Sequence, residues 1–184
     1  MSILLPAQAF AQLMSVIVFS AIARWYLVPW LRNQARADAL IALLWVHVFR
    51  YVALQVFSAQ RDGFPISDGG AMDIVIGDLL GAILAFITIV LLRHRVRFAI
   101  PLGWLLGAAT VYDTISNIRG GIHEHLMGAA TGVTWMVLGF FVPMVVVSTV
   151  LLVWQLAARR NEPLAAGLDQ RALNAKQVEM VGAP

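Results

Sequence analysis

Apolar residues gather in five long stretches separated by short polar or basic segments: Pro6 to Leu31, Ala39 to Ala59, Ala71 to Leu92, Phe98 to Ile118 and Met127 to Leu156. A helix needs about 20 mostly apolar residues to cross the hydrocarbon core of a bilayer, and each stretch comes close to that length. The pattern predicts an all-α, polytopic membrane protein, with a bundle of five transmembrane helices over 1–156 and a cytoplasmic tail over 157–184. The tail carries charges of both signs, Pro163 and Pro184, and few aromatics, so a mobile or surface-lying segment is expected there. No Lys or Arg precedes the first apolar run, which argues against a cleaved signal peptide.

Basic residues give the expected orientation. Arg24, Arg32, Arg36, Arg93, Arg95, Arg97, Arg159, Arg160, Arg171 and Lys176 fall at one end of such a bundle, and only Arg50, Arg61 and Arg119 fall in or near the other. Lys and Arg are retained on the cytoplasmic side, so the N-terminus is expected outside and the tail inside. Trp25, Tyr26, Trp30, Trp104 and Trp154 sit near the inner interface on this scheme, and Tyr112 and Trp135 near the outer one. The basic turn Arg93 to Arg97 is short enough to make spans three and four antiparallel neighbours. Gly77 and Gly81, and Gly103 and Gly107, have the spacing that lets two helix backbones approach in lipid. Pro143, with Gly139 nearby, is expected to kink the last span.

Composition agrees with this picture. Of 184 residues 60% are hydrophobic and 12% charged, against about 25% charged in soluble domains, and the mean hydropathy is +0.80. The chain has no cysteine, which removes disulfides, thiolate chemistry and cysteine-ligated metals. The pI of about 10.0 reflects an inner ring of arginines spread over short loops beside lipid headgroups, and it gives no reason to expect nucleic-acid binding.

The informative residues break the apolar pattern. His47 and Arg50 lie in the second span, Asp78 in the third, Asp113 and Asn117 in the fourth. An ionisable side chain at mid-membrane costs about 2.5–3.5 kcal/mol on insertion scales, so each requires a partner, water or a function. At about 1.5 Å rise per residue, Arg50 and Asp78 lie roughly 11–12 Å deep, His47 roughly 16 Å and Asp113 about 8 Å, all in the outer half. His47 and Arg50 share one helix face, as do Thr110, Asp113 and Asn117. Either Arg50 pairs with Asp78 or Asp113 as an internal clasp, or His47, Arg50, Asp78, Asp113 and Asn117 line an outward-facing pocket. Two carboxylates, an imidazole and an amide exceed what one arginine requires.

A second cluster, His123, Glu124 and His125, stands beside Gly120 and Gly121 in a segment expected to be an outer loop. An imidazole–carboxylate–imidazole set is one that zinc or copper accepts, although residues two apart do not share a helix face and a solvated polar loop is the simpler explanation. His47 has no second histidine at its depth on another span, which argues against bis-histidine haem ligation. No cofactor motif is present, and no catalytic residue is assigned. The outer end is net acidic, with Asp62, Asp68, Asp73, Asp78, Asp113 and Glu124 against Arg50, Arg61 and Arg119, a field that favours cations.

Three segments carry a resemblance: HVFRYV around His47, GDLLGAILA from Gly77 and FFVPMVVVS around Pro143. Spans two to five thereby resemble small bacterial multi-spanning inner-membrane proteins of unassigned function. The resemblance implies a multi-pass inner-membrane setting and no reaction. Neither an HExxH zinc-protease motif nor the paired Asn-Pro-Ala of water channels occurs. The expected function is binding or transport of a small cation, proton or polar lipid headgroup in the outward pocket. The alternatives are an accessory subunit of a larger membrane complex, or a lipid-modifying enzyme using His47 and Asp113 as acid and base. The expected partners are the lipid bilayer and either further copies of the chain or a larger assembly.

Overall fold

Five helical rods carry the apolar stretches. In the computed structural model, which describes residues 4–164, helix α1 comprises Leu4–Ile22, a π turn at Ala23–Leu27, and Val28–Arg32. Helix α2 comprises Arg36–Val48, a 3-10 stretch at Phe49–Leu54, and Gln55–Arg61. Helix α3 is Asp68–Arg93 and α4 is Ala99–His123. Helix α5 comprises Gly132–Met136, a π turn at Val137–Phe141, and Val142–Ala158. No strand occurs among the described residues. The expected tail lies largely outside them, at 165–184.

Helices α2, α3, α4 and α5 form a closed ring, each packed on the next and α5 on α2, while α1 lies outside and packs mainly on α5. The apolar core fills the basic half of this ring, where Leu40, Leu44, Ile89, Leu106, Leu152 and Leu156 are almost wholly buried. A smaller cluster of Val56, Ile66, Ala71, Val75 and Leu126 closes the other end. The outer surface is itself apolar, with Phe10, Ile17, Leu80, Phe86 and Val150 all exposed, far more than water tolerates on a monomer and suited to lipid.

Polar loops knit each end together. Arg36 Nη1 donates to the carbonyls of Arg160 (3.3 Å) and Glu162 (2.8 Å). Arg159 donates to the carbonyls of Leu31 (3.3 Å) and Gln34 (3.0 Å), and Arg95 donates to that of Leu164. The turn before α2, the turn after α3 and the segment after α5 therefore meet at one end. At the other, Ser67 meets Glu124 and Thr134 Oγ1 donates to Gln55 Oε1 at 3.1 Å.

Both π turns precede a proline by one residue. Val28 N–H reaches back five residues to the Ala23 carbonyl, and Val142 N–H to that of Val137, with Pro29 and Pro143 following. Proline donates no hydrogen bond and its ring crowds the preceding turn, so a wider turn relieves the clash and leaves a carbonyl bare. In α5 that carbonyl belongs to Leu138, and Gln12 Nε2 of α1 donates to it at 3.2 Å. Where a kink is expected around Pro143 the structure has a π turn, and the freed carbonyl gives α1 a hydrogen bond to the ring.

Two expectations change and one is met in part. Helix α4 runs on to His123, five residues beyond Ile118, and α5 begins at Gly132, leaving 124–131 as the loop. Length and apolarity support four membrane-crossing helices, Ala7–Arg32, Arg36–Arg61, Asp68–Arg93 and Gly132–Ala158. Helix α4 falls short because Thr110, Asp113, Thr114 and Asn117 lower its hydropathy. Gly103 and Gly107 do not face α3: their neighbours are Leu156 and Val153 of α5.

Candidate functional site

The site is built where α2 changes its winding. Along that helix His47, Arg50, Ala53 and Val56 are all buried, at a strict spacing of three. An α-helix would rotate such a row away from the ring, whereas a 3-10 stretch has three residues per turn and keeps it aligned. Arg50 lies within the 3-10 stretch and is 3% exposed.

Its guanidinium holds two helices at once. Nε donates to Asp78 Oδ1 on α3 at 2.7 Å, Nη1 to Thr110 Oγ1 on α4 at 2.9 Å, and Nη2 to Asp113 Oδ2 on α4 at 2.6 Å. Asn117 Nδ2 donates to the same Asp113 oxygen at 3.3 Å. The expectation that Arg50 takes one carboxylate is corrected, because a planar guanidinium carries five N–H donors in a fixed fork and serves both acids and a hydroxyl together.

Space for the fork comes from two glycines. A Cβ at Gly81 would lie 2.5 Å from Arg50 Nη1 and 2.8 Å from its Cζ, and one at Gly77 would collide with the Asp113 carboxylate. These residues escaped notice as site residues. Their four-residue spacing suggested backbone approach, and the usable signal was that they flank Asp78 at the depth of Arg50.

His47 stands apart from the network. Its imidazole is 0% exposed, and neither Nδ1 nor Nε2 has a hydrogen-bond partner among the described residues. Such a group ordinarily costs about 1–3 kcal/mol when left unsatisfied. Gln155, 1% exposed, has its amide equally unpartnered in the last turn of α5; sequence analysis missed it because one glutamine in an apolar run carries no periodic signal.

The histidine-rich segment is arranged differently. His123 ends α4, and His125 adopts a left-handed backbone (φ 58) in the turn after it. Between them, Glu124 accepts from the Ser67 N–H at 2.8 Å and from the Ser67 hydroxyl at 2.7 Å. Ser67 Oγ in turn accepts from Gly70 N–H at 3.0 Å as the N-cap of α3. The Ser67 backbone N–H, and then its hydroxyl, hold the Glu124 carboxyl below the usual range. Glu124 therefore ties the α4–α5 loop to the start of α3, and among the described residues no three histidine or acidic groups gather to hold a metal.

The arrangement is one cation between two carboxylates, with a hydroxyl and an amide completing the network and an unpartnered imidazole one turn away. Comparison with known proteins adds the family. No curated protein and no solved structure matches the chain. A family described as a domain of unknown function (DUF8737) matches residues 7–157, nearly all of the five rods. The chain belongs to that family.

Proposed function

We propose that all five rods cross a bilayer, with the N-terminus outside and the basic end in the cytoplasm, and that the Arg50 cluster binds a small cation or a proton. The support for a fifth crossing is the two-sidedness of α4. Thr110 and Asp113 turn toward Arg50, while Leu105, Val111, Tyr112, Ile115, Ile118 and Ile122 are exposed. An apolar lipid face with polar residues turned inward is what a spanning helix with a functional face requires. The orientation rests on the basic residues at one end.

The observation that carries the functional reading is the charge count. Arg50 faces Asp78 and Asp113, so the cluster is formally one negative charge in excess within the apolar part of the molecule. His47 on α2 adds no fixed charge, and α5 brings no titratable side chain between Gly132 and Ala158. One bound cation or proton would bring the group to neutrality, and the Asp78 and Asp113 side chains, 21% and 16% exposed, are its accessible members. The enzyme alternative has less support, since His47 is wholly enclosed and makes no hydrogen bond to Asp113. One observation favours an accessory subunit: α1 is largely uncovered, with Phe10, Leu13, Ile17, Trp25 and Tyr26 exposed.

The test is thermal unfolding of detergent-purified protein against Li⁺, Na⁺, K⁺ and pH. Saturable stabilisation following RT ln(1 + [L]/Kd) is expected in the wild type. It is expected to vanish in Asp113→Asn and persist in Asp62→Asn, a substitution at an exposed loop acid. A response that is the same in the wild type and Asp113→Asn would overturn the proposal.

A further inference from the structure

A second site lies at the opposite, basic end. A cavity of about 510 Å³ opens between α2 and α3, with Ile41, Trp45 and Leu92 on its walls and Asp38, Arg93 and Arg95 around it. Asp38, Ile41 and Trp45 follow helical spacing, so they form one face of α2. Trp45 lies seven residues further into the bundle than Asp38, about 10 Å along the helix axis. The cavity is thus charged at its rim and apolar in its depth.

The rim is prepared for an anion. Among the described residues neither Arg93 nor Arg95 forms an ion pair, and the tight turn that ends α3 gives Arg95 a left-handed backbone (φ 58). The Leu164 carbonyl accepts one of its N–H groups and so fixes where the guanidinium stands. Guanidinium groups recognise phosphate oxygens by paired N–H donors. Arg93 and Arg95 bring two positive charges to the rim, which a phosphodiester complements. The volume falls within the range of ligand pockets, about 300–1,000 Å³, and the partly exposed Trp45 indole beneath the rim suits the start of an acyl chain.

We propose that this cavity binds an anionic glycerophospholipid, its phosphodiester between Arg93 and Arg95 and its upper acyl chain along Ile41, Trp45 and Leu92. The shared chemistry is a phosphate monoanion, and the depth gradient selects the lipid over a free ion. The site rests on the chain crossing a bilayer and is independent of the Arg50 cluster, so it stands or falls without reference to cation binding.

The experiment is native mass spectrometry of the detergent-purified full chain titrated with phosphatidylglycerol, with uncharged diacylglycerol and with inorganic phosphate. One phosphatidylglycerol per chain is expected to be retained in preference to diacylglycerol. Arg93→Gln with Arg95→Gln is expected to weaken it about tenfold or more, whereas Arg24→Gln with Arg97→Gln, an equal charge loss at the same end, leaves it unchanged. Ala42→Phe, which fills the cavity and keeps both arginines, is expected to give the same loss, so the site remains testable even if the double arginine variant fails to fold. Equal retention in the Ala42→Phe protein, or equal weakening in the Arg24/Arg97 control, would overturn the site. Displacement of the lipid by inorganic phosphate at matching concentration would assign the arginines to a free anion and overturn the lipid.

Discussion

The Arg50 guanidinium occupies the space that a side chain at position 81 would fill: a Cβ on Gly81 would stand 2.5 Å from Arg50 Nη1. The absence of a side chain on α3 is therefore part of how α2 reaches α4. Gly81→Ala forces the fork to move away from Asp78 and Asp113, and overpacking of this kind costs about 1–3 kcal/mol. Unfolding in detergent is expected to show that loss for Gly81→Ala. Gly120→Ala, with nothing near its would-be Cβ, is expected to show no such loss.

Because one arginine serves two acids, removing either member does not have the same effect as removing both. Arg50→Gln leaves the half-buried Asp78 and Asp113 side by side without a cation and is expected to destabilise by up to about 3 kcal/mol. Asp78→Asn made in that background removes half of the uncompensated charge and is expected to recover part of the loss. Strict additivity in the cycle, measured by chemical or thermal unfolding, would deny that the three charges act as one unit.

At the acidic end, Glu124 contributes its own part of the pH dependence. Its carboxyl is held below the ordinary value of 4.5 by the Ser67 N–H and hydroxyl, so the folded chain favours the carboxylate more than the unfolded chain does. The resulting stability is present in full above the unfolded value and is lost as pH falls through the lower folded value. The unfolding midpoint is expected to fall at successively acidic pH in the wild type, and this component is expected to be missing in Glu124→Gln.

The proline in α5 makes a prediction about α1. Gln12 answers a carbonyl of Leu138 that Pro143 leaves bare, and interhelical hydrogen bonds of this kind are worth about 0.6 kcal/mol, rarely above 1.7. Gln12→Leu is expected to cost an amount in that range, and less in a Pro143→Ala background, where the helix can supply its own donor. Equal costs in the two backgrounds would separate Gln12 from the proline.

Orientation is read most directly by labelling. The native chain contains no cysteine, so Asp62→Cys and Asn161→Cys each introduce one thiol, at opposite ends of the bundle. Asp62→Cys is expected to react with an impermeant reagent on intact cells and Asn161→Cys only after lysis. The reverse pattern would place the Arg50 cluster in the cytoplasmic half.

Sequence alone determined the rods and their two unlike ends. Hydropathy, the short loops and the arginines act segment by segment, so Arg36–Arg61, Asp68–Arg93 and the basic turn after Arg93 are legible without knowing any neighbour. It also determined which residues were out of place in an apolar setting, and His47, Arg50, Asp78, Asp113 and Asn117 were found for that reason. What they do to one another depends on how each helix is rotated about its axis and on how far side chains reach, quantities that no single segment encodes. Tertiary structure decided that the 3-10 stretch in α2 turns His47 and Arg50 inward together, that Arg50 takes both carboxylates, and that Gly77 and Gly81 clear its path. It decided likewise that Glu124 caps across to Ser67 and that α1 lies outside the ring on a carbonyl freed by Pro143. For Arg50 and for the Leu138 carbonyl the deciding force is the need to satisfy a polar group away from water, and the partner that satisfies it comes from a helix distant in the chain.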